Sequence, residues 1–513
     1  MTVDTTRLWS PWLTRDMITR VSHGRPAVTY PDVPASLGHS LAAAAARTPA
    51  AVAVVDDDAQ TWTYAQLASG AARFGAHLGR RCGVGRGDRV ALLMDTSARF
   101  VVAAYGASWR GAVVVPVQTK LPRDETVALV RRSGARAVVC DVRFRDWFAD
   151  TGLPTVCADS ALDPAPPDQA QAERLGGEPP VGTSDDDAVV MFTSGTTARS
   201  KGVVLTNLNL GHAIVTYQRL FGVVPSDRLL LPVPIYHITG LVAVLGLSVQ
   251  AGACLVLHRR FDADRVVRAL ADDRITILHA SPTVFAKLLA ARRDAPAAPS
   301  VRLFACGAAH MPAARIRELH AWLPRMEFRT VFGMTETSSP GFVFPGDAAV
   351  SELIGSSGWP IPGLEVRLVA PDDGALDVAA GEIGEIWLRG AGIARCYDPA
   401  PDGVVPDGLD AAGWLRTGDL GTVAPEGHIR VVGRIKDMIN RGGEKVWAID
   451  VEEALRSLDE VLDAAVVGLD HDVYGEVPAA LITVAAGADV KPAGLRARLK
   501  THLARYQIPE VIV

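Results

Sequence analysis

Paired cysteines, blocks of one charge and bilayer-length apolar runs are all missing from this sequence, and each absence removes a class of protein. The six cysteines, Cys82, Cys140, Cys157, Cys254, Cys306 and Cys396, are scattered without a C-x-x-C pair. That pattern supports neither a disulfide framework nor a cysteine zinc site, and fits the reduced, buried thiols of a cytoplasmic protein. The 52 basic and 57 acidic side chains are interspersed and give a net charge of -5. No basic stripe exists to follow a phosphate backbone, so nucleic acid is not an expected partner. The start, MTVDTTRLWSPWLTRD, lacks the charged and then apolar pattern of a signal peptide. The most membrane-like stretch, from Gly240 to His258, is interrupted by Ser248, Gln250 and three glycines. It reads as a buried helix followed by a buried strand, and no membrane span is expected.

What is present is the dispersed 49% hydrophobic and 21% charged composition of a soluble globular chain. At 513 residues it exceeds the size at which one core keeps growing, so two or more domains are expected. From about Asp187 onward, short β-branched runs alternate with amphipathic, helix-length segments, the pattern of parallel strands joined by crossover helices. Ile275–Ala280 leads into Ser281-Pro282 and a helix over Thr283–Arg292; Val301–Ala305 precedes another helix opened by Pro312. Upstream, a helix over Tyr64–Leu78 and strands at Arg89–Leu93 and Ala112–Val117 read as a further α/β unit. The proline- and glycine-rich Ala161–Asp187 segment between them reads as a surface linker. Around Gly363–Leu388 the pattern changes to short alternating strands with turn residues, the mark of a small antiparallel region. After Gly433-Arg434 a small α+β unit is expected: helix Ile449–Leu458, strands Ala464–Gly468 and Ala479–Val484, and helix Ala493–Tyr506.

The sharpest local signal is Met191-Phe192-Thr193-Ser194-Gly195-Thr196-Thr197-Ala198-Arg199-Ser200-Lys201-Gly202, a hydroxyl-rich, glycine-punctuated loop that leaves a strand and ends in lysine. Glycines let backbone N–H groups approach a polyphosphate, hydroxyls donate to its oxygens and lysine adds charge. A Walker A loop is excluded, because Lys201 lies between Ser200 and Gly202. The alternative is an ordinary surface turn rich in Ser and Thr.

This loop resembles the phosphate-loop signature of the adenylate-forming superfamily, which includes acyl-CoA synthetases, peptide-synthetase adenylation domains and luciferases. Phe332-Gly333-Met334-Thr335-Glu336-Thr337 is similar to that family's aromatic-G-M-T-E-T signature, and Gly413-Trp414-Leu415-Arg416-Thr417-Gly418-Asp419 to its G-W-x-x-T-G-D segment. Gly433-Arg434-Ile435-Lys436-Asp437, followed by Gly442-Gly443-Glu444, resembles its domain hinge. The resemblance implies an α/β fold of acyl-CoA synthetase type. A large N-terminal adenylation domain of stacked α/β subdomains plus a small β region (1–435) would precede a small, mobile α+β C-terminal domain (436–513).

It also implies a reaction. Attack of a carboxylate on the α-phosphorus of ATP needs alignment and charge neutralisation. Thr335 suits a hydroxyl donor to the α-phosphate, and Glu336 suits a ligand for Mg²⁺, which prefers oxygen. Thr193, Ser194, Gly195, Thr196, Thr197 and Lys201 would cradle the phosphates, with Gly333 and Met334 beside them. Phe332 would stack on adenine, although taken alone it also reads as a core residue. Asp419 can accept from both ribose hydroxyls and Arg434 can donate to the same sugar. Cys306-Gly307-Ala308-Ala309-His310 corresponds to the small-residue stretch beside adenine and the acyl pocket, though a tight helix–strand contact explains small residues equally well.

Pro234-Ile235-Tyr236-His237 resembles the P-x-[FY]-H motif of acyl- and aryl-CoA synthetases, where the histidine borders the carboxylate and the thiol tunnel. No aspartate follows to bind an α-ammonium group. This favours a CoA ligase, with His237 also open to reading as a core histidine. Thr239, Val242, Phe342 and Cys306–Ala308 are further candidates for the acid pocket. The implied cofactors are ATP and Mg²⁺, with CoA as co-substrate; the implied partners are a small carboxylic acid and CoA or a carrier-protein pantetheine. Lys436 would be the hinge that brings the Gly442–Trp447 loop to the pantetheine tunnel.

Some residues depart from the family pattern. Ala198 and Ser200 replace a glycine and a proline, Asn207 replaces a histidine, and His310 stands where an apolar residue is common. The resemblance implies a lysine-bearing segment soon after Tyr506–Val513, and no residue matches it; either the C-terminal domain is truncated before it, which is the expectation, or the protein has lost the first-step lysine. The same motifs serve carrier-protein loading, amide formation and nitrite activation for diazotisation, and a catalytically silent nucleotide-binding protein is a reading of another class.

Overall fold

A computed structural model of the protein describes residues 2–3, 5, 8–158, 162, 179–193, 200–292, 297–371, 374, 376–398, 408–458, 460–484 and 490–513. The chain divides into two units: Asp4–Glu365 with Arg389–Leu415, and Met1–Val3, Val366–Leu388 and Arg416–Val513.

The larger unit is built on two sheets whose central strands are short apolar runs buried on both faces, the condition for parallel pairing. In the nine-stranded sheet, Glu327–Phe332, Leu303–Cys306, Ile277–Ala280, Arg228–Leu231, Cys254–Leu257 and Val52–Val55 lie side by side and all run parallel. Helices Ala263–Asp272, Pro282–Ala291 and Ala313–Trp322 cover one face, and Leu278, Phe304, Phe328 and Phe285 fill the core between. The seven-stranded sheet has a parallel part, Asp187–Thr193, Val113–Pro116, Arg89–Leu93, Ala137–Cys140 and Thr155–Cys157. At its other edge the expectation of parallel crossovers from Asp187 onward fails. Asp187–Thr193 and Lys201–Thr206 form an antiparallel pair in which Thr193 faces Lys201, because the few residues between them are too short for a crossover helix.

Helix boundaries follow local chemistry. Thr63 and Gln66 form a reciprocal capping box for Tyr64–Cys82, which ends at Gly83 with φ 64°. Thr206 and Asn209 do the same for Asn207–Phe221, which ends at Gly222 with φ 56°. The Gly240–His258 stretch folds as a π-helix, Thr239–Gly246, then helix Leu247–Ala251 and strand Cys254–Leu257, all largely buried. Among the described residues no helix is long and apolar enough to cross a membrane. All six cysteines are free, five of them buried.

The smaller unit holds a five-stranded sheet in the order Thr2–Val3, Glu365–Val369, Gly384–Arg389, Leu415–Val423 and Ile429–Arg434. Beyond it, Ile439–Arg441 and Glu444–Val446 form a hairpin turned by Gly442 and Gly443, φ 61° and 95°. Two left-handed residues in a two-residue turn are what such a hairpin demands. Val461–His471 pairs with Gly475–Val484, and helices Ala448–Arg456 and Pro492–Leu499 close a core of Val451, Leu455, Leu495 and Leu499. The helix expected to reach Tyr506 stops at Leu499, where the Thr501 amide and hydroxyl both donate to the Arg498 carbonyl. A hydroxyl competing for a backbone carbonyl favours a turn over another helical turn.

Candidate active site

The strand register fixes both ends of the hydroxyl-rich loop. Thr193 closes one strand opposite Lys201, which opens the next; Ser194, Gly195, Thr196 and Thr197 lie outside the described residues. The Arg132 guanidinium donates to the Ser200 carbonyl (2.9 Å) and hydroxyl (2.7 Å) and lies 4.8 Å from the Phe192 ring centroid. A third strand, Cys396–Asp398, pairs with Gly202–Val204. A Cβ on Gly202 would stand 2.9 Å from Asp398 Cβ and 3.0 Å from the Phe192 ring, so glycine permits this approach.

That third strand places Tyr397 between two of the expected site residues. Lys201 Nζ lies 5.2 Å from the Tyr397 ring centroid, within cation–π range. The Tyr397 hydroxyl donates to Glu336 Oε1 at 3.0 Å. Burial, and then the neighbouring Glu336 charge, push the Tyr397 phenol above its usual range, so it stays a donor at neutral pH. Lys201 and Glu336, distant in sequence, are thereby brought to one tyrosine.

Glu336 sits in a single 3₁₀ turn, Thr335–Thr337, just after strand Glu327–Phe332. The Met334 amide donates to Thr337 Oγ1 at 3.0 Å, and the Ala394 amide to the Glu336 carbonyl at 2.8 Å. A Cβ on Gly333 would stand 1.5 Å from the Ser339 carbonyl oxygen, which leaves no room for any other residue. Ser338 and Ser339 both take positive φ, 57° and 101°, a strained arrangement for side-chain-bearing residues. Phe332 is half-buried and stacks on Phe342 at 4.8 Å between centroids. Phe342, expected to line the acid pocket, is wholly buried behind it.

Gly307 follows strand Leu303–Cys306, its amide bonded to the Ala280 carbonyl at 3.2 Å. Ala308 is left-handed, φ 72°; it and Ala309 are exposed, and His310 is half-buried. Cys306 is a correction: alternation along the strand turns it into the helix-covered core with Leu278, Phe304 and Phe328, away from the face that Gly307 occupies.

Tyr236 and His237 stand with ring centroids 4.9 Å apart, on a turn anchored by the Ile235 amide donating to Thr96 Oγ1 at 3.1 Å. His237 is open to solvent yet ringed by enough protein to lower its pKa, with the Lys120 charge adding to that effect. Its carbonyl accepts the Leu241 amide at 2.9 Å and leads into the π-helix, where Thr239 is half-buried and Val242 fully buried. Widened turns of this kind recur at functional sites.

In the smaller unit, Asp419 and Arg434 are cross-strand neighbours. Arg434 Nε donates to Asp419 Oδ1 at 2.8 Å; the Asp419 side chain is 4% exposed and that of Arg434 53%. Lys436 is exposed on a 3₁₀ turn, Ile435–Asp437, that follows strand Ile429–Arg434 directly.

Residues 41–398 match the AMP-binding enzyme family, and residues 450–513 match the AMP-binding enzyme C-terminal domain. The chain belongs to the AMP-binding enzyme family. It is 32% identical to a long-chain-fatty-acid–CoA ligase (FadD13) of Mycobacterium tuberculosis, over 88% of each chain. It is also 32% identical to a feruloyl-CoA synthase of an Amycolatopsis species, over 88% of this chain and 89% of that one. Among solved structures it resembles o-succinylbenzoate CoA synthetase (MenE) of Bacillus subtilis in complex with its acyl-adenylate intermediate, with a TM-score of 0.80 and 29% identity over 92% and 94% of the two chains. The same synthetase in complex with ATP and a magnesium ion gives a TM-score of 0.79.

For this member of the AMP-binding enzyme family, sequence reasoning missed Tyr397 and Arg132. Neither belongs to a motif. Tyr397 reaches the site only through the pairing of Cys396–Asp398 with Lys201–Thr206, and an isolated Cys-Tyr-Asp tripeptide carries no signal of that contact.

Proposed function

We propose that the chain activates a carboxylic acid with ATP, forming an acyl-adenylate and pyrophosphate, and then transfers the acyl group to the thiol of CoA. The observation that carries this reading is the convergence of Lys201, from the end of the phosphate loop, and Glu336, from the Thr335–Thr337 turn, on Tyr397. In the first step a carboxylate oxygen attacks the α-phosphorus and pyrophosphate leaves. In the second the thiol sulfur attacks the acyl carbon and AMP leaves with the oxygen of the broken acyl–phosphate bond. Lys201 and Thr193–Thr197 would hold the β- and γ-phosphates, and Thr335 would donate to the α-phosphate, where charge builds in the transition state. Phe332 would stack on adenine beside Gly307–Ala309, and Asp419 with Arg434 would hold the ribose.

Glu336 would hold Mg²⁺. Among the described residues no cluster of three or more metal-ligating side chains occurs; a single carboxylate suits magnesium, which is commonly bound by one or two carboxylates together with substrate phosphates. When bound, the ion would neutralise phosphate charge during attack. The relatives named above are CoA ligases, which favours CoA over a carrier protein as acceptor. His237, whose ring lies 4.9 Å from that of Tyr236, would border the carboxylate. Lys436, exposed between the two sheets of the smaller unit, would be the pivot about which residues 436–513 change partners between the steps. Free, mostly buried thiols suit a cytoplasmic place.

The test is ATP–pyrophosphate exchange with a panel of carboxylic acids, followed by mass detection of acyl-CoA when CoA is added. Acid-dependent exchange and an acyl-CoA product are expected. Exchange without thioester would remove the second step, and no acid-dependent exchange would remove the whole reading.

A further inference from the structure

Among the described residues several buried polar atoms of the larger unit have no hydrogen-bond partner, the Tyr30 and Tyr105 hydroxyls, His258 Nδ1 and His279 Nδ1 among them, and His279 is the one that lies beside Gly307. His279 lies on strand Ile277–Ala280, in register with Ala305, and is 3% exposed. Its neighbours Leu278 and Ala280 turn into the helix-covered core. His279 therefore points to the opposite face, where the Tyr217 ring of helix Asn207–Phe221 meets it edge-on with centroids 5.7 Å apart. Its Nδ1 has no hydrogen-bond partner among the described residues. A buried ring nitrogen left unpaired is costly, so such positions are normally completed by water or a ligand.

Three contacts tie this histidine to the candidate active site. A Cβ on Gly307 would stand 3.6 Å from His279 Nε2 and 3.0 Å from the Val331 carbonyl oxygen, so the glycine lets the strand end pass close to the Nε2 edge of the ring. The Tyr217 hydroxyl pairs with Ser339 Oγ at 2.9 Å. Ser339 in turn accepts from Thr337 Oγ1 through its carbonyl at 3.3 Å, within the turn that carries Thr335 and Glu336. The patch also lies at the C-terminal ends of parallel strands, where open α/β sheets bind ligands.

We propose that His279, with the Tyr217–Ser339 hydroxyl pair beside it, forms the far end of the acid pocket and selects acids bearing a hydroxyl or carbonyl remote from their carboxylate, rather than plain alkyl or aryl acids. The inference rests on the adenylation reading and narrows its substrate class. The ring would donate to or accept from the distal group, and Tyr217 and Ser339 would offer a second hydroxyl contact. Burial holds the imidazole neutral, with a pKa of about 4, so the contact is a neutral hydrogen bond and an acid with a second carboxylate is disfavoured. A site built around a substrate hydroxyl strongly rejects the analogue that lacks it, because its own polar group is then left unpaired.

The experiment is ATP–pyrophosphate exchange by the full chain with matched acids: benzoate and 4-hydroxybenzoate, cinnamate and 4-coumarate, hexanoate and 6-hydroxyhexanoate. In the wild-type enzyme at least one hydroxylated acid should exceed its partner by about tenfold or more in kcat/KM. His279→Phe should cut that ratio by about tenfold, chiefly through KM for the hydroxylated acid, and His279→Asn, which keeps a hydrogen-bonding group, should retain more of it. Exchange that favours the unsubstituted acid of every active pair, or a ratio unchanged in His279→Phe, would overturn the proposal while leaving adenylation intact. Absence of exchange with every acid would overturn the adenylation reading and this one with it.

Discussion

Replacing Tyr397 by phenylalanine is the most informative single perturbation, because it removes one hydroxyl and keeps the ring on which Lys201 rests. The lost interaction is a 3.0 Å hydrogen bond to the Glu336 carboxylate, and bonds to charged groups contribute about 1.5–3 kcal/mol. Tyr397 is 7% exposed while Glu336 is only half-buried, so water can reach the carboxylate and part of the loss is recovered. At about 1.4 kcal/mol per factor of ten, the expected fall in kcat/KM for Mg·ATP is about 10- to 100-fold in pyrophosphate exchange. Because the Tyr397 hydroxyl is bonded to Glu336, the proposed magnesium ligand, the variant should also need more Mg²⁺ to reach half-maximal rate. The ring under Lys201 remains, so the melting temperature should change by only a few degrees, about what a loss near 1 kcal/mol gives. An enzyme with wild-type kcat/KM and unchanged magnesium dependence would refute the idea that this tyrosine sets the carboxylate.

Two further outcomes follow from packing and burial. Gly333→Ala places a Cβ 1.5 Å from the Ser339 carbonyl oxygen, so the Thr335–Thr337 turn must move; exchange activity should fall more than about tenfold and stability by about 1–3 kcal/mol, and wild-type exchange and melting would contradict the assigned backbone path. His212 and His279 are buried, and burial lowers both pKa values from 6.5 to about 4. The unfolded chain therefore binds protons first as pH falls, so the stability held above pH 6.5 is lost progressively down to about pH 4, by about 3 kcal/mol per histidine. Urea unfolding at pH 7.5, 6 and 5 should show this decline, and His279→Phe should flatten it; a wild-type curve no steeper than the variant's would contradict the burial of a neutral ring.

The legible part of this protein was the part encoded by local rules. Strand Arg89–Leu93 could be drawn from its apolar run, and the helix opened by Ser281-Pro282 from its proline, because turn and cap chemistry act over a few residues. The Gly333-Met334-Thr335-Glu336-Thr337 run stands out for a different reason, its resemblance to a family signature, and no local rule predicts its 3₁₀ turn. Contacts made across the sheets were not readable. Tyr397 meets Glu336 only because two antiparallel strands extend the seven-stranded sheet, and the antiparallel step at Thr193–Lys201 was itself misread as part of a parallel series. The burial of Cys306 was not readable either: near a strand end the alternation of faces separates adjacent residues, so the cysteine before Gly307 joins the core. His279 carried no motif at all, and its unpaired nitrogen becomes visible only once Tyr217 and Gly307 are set around it.

Backbone strain gives an independent reason to place the chemistry at these strand ends. Among the described residues, six without the freedom of glycine take positive φ, and three of them, Ala308, Ser338 and Ser339, lie just beyond strands Leu303–Cys306 and Glu327–Phe332. Each such residue costs on the order of 1–3 kcal/mol and persists only where its surroundings over-determine it. The surroundings here do so: Ser338 Oγ is tied to the Gly392 carbonyl, Ser339 Oγ to Tyr217, and the adjoining strands sit over a core of Phe285, Phe304 and Phe328. Glycine would relieve the strain at Ala308 without filling any space, yet would surrender the fixed backbone direction that a ligand-facing stretch needs. A rigid sheet holding a strained rim is therefore the physical form of the preorganisation that adenylate formation requires, since its barrier is lowered by alignment and charge placement rather than by a protein nucleophile.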